Sequence, residues 1–293
     1  MTLIAILISY FAERESWIPG LIRNRRWASA YLAAYERIGL GGRVHPALAY
    51  GFYVLIPMFF AWYLTVVLHG WVFAIAEFVL GTFLLCSILM PRRLHSEFQP
   101  FLKRWQTQEW QAAYEHAAGL FHFSKTISTG DLLTQTMTYY LIRMNQYLFS
   151  PILWYVLFGA AGLVLYVLTF VIAQHEESNQ RANSPWKSLA AEFMHALEGV
   201  SARVIAMSIA LLFINSKALA VAVRPFRVAD REAEIVLKLS IKMAMDFKEL
   251  PDNKEQMASE GIRRMHMIQD LCNNILVLWL LVIAFFTLLG WAL

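Results

Sequence analysis

Arg143, Asn145 and Gln146 stand within eight residues of a stretch apolar enough to cross a bilayer, in YYLIRMNQYLFSPILWYVLFGAAGLVLYVL (139–168). A guanidinium beside two amides at i, i+2 and i+3 can recognise a phosphate- or sugar-bearing ligand, because arginine grips anionic oxygens through paired N–H donors. The same residues can instead anchor the chain. The arginine then snorkels to lipid head groups while the asparagine ties helices together. His95 and Asp131 precede this stretch on the same side of the membrane and complete the candidate ligand-binding set.

A second group lies at membrane depth. Glu77 is embedded among Phe73, Ala74, Ile75, Phe78 and Val79, and Asn215 and Lys217 interrupt the apolar run 204–223. Ionisable residues in hydrocarbon are costly and by default mark a functional pathway. Opening to water or snorkelling is the plainer alternative. The histidines His95, His116 and His122 show no i, i+4 ligand spacing and no cysteine lies near them, so no metal site is expected. Gly39-Leu40-Gly41-Gly42-Arg43 follows a helix pattern, not a strand, and reads as a helix C-cap and turn. Gly159 to Gly162 read as a close helix contact within the bilayer.

The elements that position these residues are membrane helices. The 293-residue chain is 58% hydrophobic and 16% charged, with a mean hydropathy of +0.48. Soluble domains carry about 45–50% apolar and about 25% charged residues. Soluble and nucleic-acid-binding classes are thereby excluded, and two cysteines offer no disulfide framework. A span needs about 20 apolar residues. Runs 47–69, 71–90, 151–173, 204–223 and 275–292 qualify, and 1–12 is either a short span or a half-inserted helix. The expected class is all-α: a polytopic protein of five to six spans forming one integral membrane domain over 1–293.

Orientation follows from Lys and Arg. Segments 13–46, 91–150 and 224–274 hold most of the 25 basic residues and are expected on the cytoplasmic side. Segment 174–203, with Glu176, Glu177, Glu192 and Glu198, is then expected outside. Helical periodicity places amphipathic helices in all three basic segments. Ile18, Leu21, Ile22, Ala28, Tyr31, Leu32, Tyr35 and Ile38 form a stripe flanked by Trp17 and Trp27, with Arg23, Arg25, Arg26 and Arg37 on the rest. Such a helix suits the interface over anionic inner-leaflet lipids.

Three stretches together resemble a known family. MTLIAILISYFAER opens in the manner of the AmpE proteins, inner-membrane proteins grouped with the CobD/CbiB proteins of cobalamin assembly. LHSEFQPFLKRWQTQEWQAAYEHA (94–117) is similar to that family's leucine-histidine helix, turn and Trp-led helix. NQYLFSPILWYVLFGAAGLVLYVL (145–168) looks like its asparagine followed by a Phe-x-Pro-aromatic span. The likeness covers roughly the first 170 residues. It implies a non-catalytic regulator or sensor in a bacterial inner membrane, linked to cell-wall signalling and β-lactamase induction. It also implies a small-molecule cell-wall fragment as partner, and no cofactor. The cobalamin branch implies instead a membrane-bound amide ligase or transferase, with its site at the cytoplasmic surface. Val44-His45-Pro46 with Gly51 echoes a pattern of that branch. However, no carboxylate lies between Asp131 and Glu176, where a nucleotide-and-metal ligase would cluster them.

Overall fold

The computed structural model describes residues 2–15, 17, 26–39, 44–67, 71–121, 129–178, 185–223, 232–245, 250–251 and 253–289. It is 93% helical with no strand among them. Five helical stretches are long and apolar enough to cross a membrane: Pro46–Tyr63, Glu77–Gln106, Thr129–Gln174, Pro185–Phe213 and Lys254–Leu288. The chain is an all-α, multi-pass membrane protein. Helices suit that setting because each satisfies its own backbone hydrogen bonds where no water can. Side chains such as Phe59, Phe60, Leu281 and Phe285 point away from the protein core, as lipid-facing residues do.

In chain order the described helices are α1 (Thr2–Arg14), α2 (Arg26–Ile38), α3 (Pro46–Val67), α4 (Trp71–Ile88), α5 (Pro91–Gln106), α6 (Trp110–Phe121), α7 (Thr129–Met144), α8 (Ser150–Ser178), α9 (Pro185–Phe213), α10 (Ser216–Ala222), α11 (Glu232–Met245) and α12 (Lys254–Leu288). With 13 residues, α1 is about 20 Å long, short of a hydrocarbon core of about 30 Å. It packs on α4, and its Ser9 hydroxyl donates to the Thr82 carbonyl at 3.4 Å. At its far end the buried Glu13 carboxylate accepts from the Arg92 backbone N–H, 3.2 Å from each oxygen. That N–H is one of the four unpaired donors at the start of α5, so a carboxylate from another helix caps it. Glu13 thus fixes α1 to the α4–α5 junction.

The amphipathic helix expected over 17–38 is described from Arg26 onward; 18–25 and the Gly41–Arg43 turn lie outside the described residues. Its apolar stripe faces protein. Tyr35 donates to the Ala49 carbonyl at 2.6 Å and Tyr31 to the Tyr53 carbonyl at 3.0 Å, which lays α2 antiparallel on the first half of α3. Gly39 ends the helix at φ 71°, the left-handed C-cap the sequence suggests.

The run 151–173 corrects a sequence expectation, because it does not cross as one straight helix. At Phe158 (φ −132°, ψ 15°) and Gly159 (φ 60°, ψ −150°) the backbone leaves helical geometry. Beyond that point the chain returns along itself. The Tyr166 hydroxyl donates to the Gln146 carbonyl at 2.8 Å, and Gln174 Nε2 donates to the Tyr147 hydroxyl at 3.0 Å. On a straight helix residues 146 and 166 would stand about 30 Å apart. Thus α8 is a helical hairpin: limb 150–157, tip 158–159, limb 160–178. Gly162 lets the limbs approach, since a Cβ there would collide with the Trp154 carbonyl oxygen and Phe158 Cβ.

The expected placement of 13–46 and 174–203 at opposite ends of the molecule does not hold for the start of α9. Lys187 Nζ lies 2.5 Å from Glu36 Oε1, and the Trp186 ring meets Tyr35 and Tyr53. The start of α9 therefore shares an end of the molecule with α2 and the start of α3. A single crossing at 151–173 would have placed Lys187 and Glu36 on opposite sides. The run 204–223 is broken as well. Ile214 turns the chain at φ 49°, and the Asn215 side chain then caps α10 by accepting from the backbone N–H groups of Lys217 and Ala218.

Candidate functional site: the base of the hairpin

The polar residues that open the sequence argument meet where α7 runs into the hairpin. Residues Asn145–Phe149 form one π turn, in which the Ser150 N–H bonds the Asn145 carbonyl five residues back. Pro151 supplies the cause. Its ring has no N–H to give, and in an α-helix it would clash with the carbonyl four residues earlier. A wider turn relieves that clash, but it leaves the Gln146 carbonyl without a backbone donor, since its i+5 partner is the proline. The Tyr166 hydroxyl fills the vacancy from the returning limb. The proline, the π turn and the hairpin are therefore coupled through one hydrogen bond.

The π turn aims Asn145 at α9. Asn145 is fully buried. Its Nδ2 donates to the Glu198 carbonyl at 3.2 Å, and its Oδ1 accepts from Ser201 at 2.7 Å and Ser150 at 3.1 Å. The two hydroxyl oxygens lie 2.5 Å apart. Each serine has one proton and two lone pairs, so the two share their protons among Asn145 Oδ1, the Glu198 carbonyl and each other. This is a closed knot of helix-to-helix bonds.

Beside it runs a charged chain. Arg143 Nε donates to the Tyr139 hydroxyl, and Nη1 donates to Gln146 Oε1 at 3.1 Å. Gln146 Nε2 donates in turn to Glu198 Oε2 at 3.2 Å. The guanidinium stacks over the Tyr139 ring, 4.8 Å from its centroid, and near Tyr147 at 5.8 Å. Gln146 is thus an amide bridge between a half-buried cation and a buried carboxylate, and it lowers the cost of placing either there. The arginine side chain is held against Tyr139 and Gln146.

The other candidates stand apart. His95 is exposed on α5 and pairs with Gln99 at 2.8 Å. Asp131 is exposed in the first turn of α7, about 18 Å along that helix from Arg143. His116 bonds the Glu97 carbonyl oxygen at 3.1 Å, and His122 lies outside the described residues. Among the described residues no three of His, Cys, Asp and Glu come together. The two polar residues of the broken run lie just past the turn at Ile214. Asn215 Nδ2 reaches the Met243 carbonyl at 2.8 Å, and Lys217 is exposed, so neither belongs to a continuous span.

Glu77 sits at the opposite end of the hairpin. Its Oε1 is 2.9 Å from the point that a Cβ on Gly159 would occupy. Sequence reasoning singled out Arg143, Asn145, Gln146 and Glu77. It missed Ser150, Ser201, Glu198, Tyr166 and Gln174, which complete the arrangement. A polar side chain recurring inside apolar helices was the available signal for Ser201 and Glu198; nothing local marks Tyr166 as the partner of a carbonyl twenty residues away. Compared with protein-family models, curated proteins and solved structures, the chain matches none of them.

Proposed function

We propose that this chain is a non-catalytic regulator or sensor of a bacterial inner membrane, acting in cell-wall signalling and β-lactamase induction in the manner its AmpE-like segments imply. The observation that supports this reading is the closure of the base. The asparagine of the family-like stretch spends its carbonyl oxygen and an N–H on Ser201, Ser150 and Glu198, and its burial is complete. A residue so engaged holds helices in register. A group that handles substrate needs an open side.

The test is genetic and quantitative. In the source bacterium, removal of the chain should change β-lactamase induction by a β-lactam. Arg143→Ala and Asn145→Ala should restore induction in proportion to the amount of folded protein they leave. Induction indifferent to the chain would contradict the regulator. So would an amide-forming activity of the purified protein that Arg143→Ala abolishes at unchanged folding, and this second result would point to the cobalamin-like branch.

A further inference from the structure

We propose that the outer face of the α10–α11 elbow is a docking surface for the anionic head groups of bilayer lipids, with Lys217, Lys238 and Lys242 as its cations. This part of the molecule plays no role in the regulatory reading, and the proposal stands apart from it. Helix α9 ends at Phe213, and Ile214 turns the chain at a φ of 49°. Asn215 then makes two contacts. Its side-chain oxygen caps α10, and its Nδ2 donates to the carbonyl of Met243, near the end of α11, at 2.8 Å. The bond sets the first turn of α10 beside the last turn of α11, so Lys217 and Lys242 flank the same junction.

The short helix α10 is apolar on both faces. Ala218, Val221 and Ala222 point into the protein, at i, i+3 and i+4. On the other side Leu219 is exposed, Val223 is 70% exposed, and Ala220 lies open between them. Just before it, Leu211, Leu212, Phe213 and Ile214 are exposed as well, Ile214 at 93%. A helix facing water places polar residues on the side turned from the core. This face instead continues the outer surface of α9, one of the helices long and apolar enough to cross a membrane.

Helix α11 supplies the charge. Its buried side carries Ala233, Val236, Leu237, Ser240 and Ile241. Its outward side presents Ile235, Lys238 and Lys242 at i, i+3 and i+7, a single stripe, with Met243 beside it. Among the described residues of 204–223 and 233–245 no aspartate or glutamate is exposed; the one acid there, Glu234, is partly buried. Three exposed cations without an exposed counter-charge, next to a continuous apolar surface, match the boundary of a leaflet, with phosphate on one side and hydrocarbon on the other. Lysine suits that boundary because its methylenes lie along apolar surface while the ammonium reaches the head group. An acidic protein would satisfy the lysines but not the apolar run that adjoins α9, and the run favours lipid.

The experiment uses the full chain with Cys86→Ser, Cys272→Ser and Ala220→Cys, in nanodiscs of phosphatidylcholine and phosphatidylglycerol in equal parts. A spin label at residue 220 should collide more with oxygen than with a water-soluble nickel chelate. A fluorophore at the same position should be quenched more by nitroxide-bearing phosphatidylglycerol than by its phosphatidylcholine counterpart. The relative association should differ by about fivefold, the worth of one lysine near an anionic surface, and salt should erode the difference. Replacing Lys217, Lys238 and Lys242 together by serine should remove the preference, and replacing them by arginine should keep it. Equal quenching by the two lipids in the lysine-bearing protein overturns the proposal, and that comparison requires no lysine variant to fold. A label that collides mainly with the chelate also overturns it and assigns the face to an acidic protein partner. So does a preference that survives loss of all three lysines.

Discussion

The two ends of the hairpin solve the same problem by opposite means. At the base, polar groups are numerous and satisfy one another: Asn145 with Ser150, Ser201 and Glu198, and Arg143 with Tyr139 and Gln146. At the tip, one carboxylate faces one turn of backbone across two glycines. A network loses one bond among several when it is perturbed, whereas the tip depends on a few tight contacts and on glycine geometry. Sterics should therefore dominate substitutions at the tip, and hydrogen-bond counting those at the base.

The largest effect is expected at Gly162. Gly162→Ala drives a methyl into the Trp154 carbonyl oxygen, a backbone atom that cannot step aside. Overpacking of this kind should cost about 3 kcal/mol or more, read as a loss of thermal stability in detergent. Next comes Tyr166→Phe, which removes the hydroxyl that donates to the Gln146 carbonyl. An unsatisfied buried acceptor costs about 1–3 kcal/mol. Placing Ala at Pro151 should restore that donor and shrink the loss, a rescue that a merely space-filling tyrosine would not show.

Asn145→Ala should cost about 1–2 kcal/mol, the range of interhelical hydrogen bonds in membranes. Combined with Ser201→Ala, the two losses should be strongly less than additive, because the residues share one knot. A double-mutant cycle with additive losses would separate them. The smallest effect belongs to Lys187→Ala. Its partner Glu36 is 39% exposed although the lysine itself is buried, so screening should hold the loss to about 1 kcal/mol or less.

Much of this was legible in the sequence. Apolar length located the described helices within 47–67, 71–88 and 275–288, since hydrophobicity over about 20 residues is a local property. The candidates Arg143, Asn145 and Gln146 were legible as polar residues beside an apolar run. The hairpin was not legible, because a straight span and a folded-back pair of limbs have the same composition. Gly159 was visible, but as a small residue for helix contact; its positive φ is a tertiary fact. The expected separation of 13–46 from 174–203 failed for a related reason. The four glutamates of 174–203 weighed in the assignment, although acidic residues contribute little to orientation, and the reversal at residues 158–159 was not visible. Lys187 against Glu36 records the outcome. Likewise the run around Lys217 was counted as continuous, whereas the chain turns at Ile214.

The central claim is that residues 139–178 double back, and the distance between residues 147 and 174 tests it most directly. Spin labels at these two positions, in the full-length protein with Cys86 and Cys272 replaced by serine, report on it in lipid nanodiscs. The hydrogen bond of 3.0 Å that joins the native side chains predicts close labels and strong dipolar broadening of the continuous-wave spectrum. A straight crossing would place them about 40 Å apart, beyond any such broadening, and an unbroadened spectrum would contradict the account.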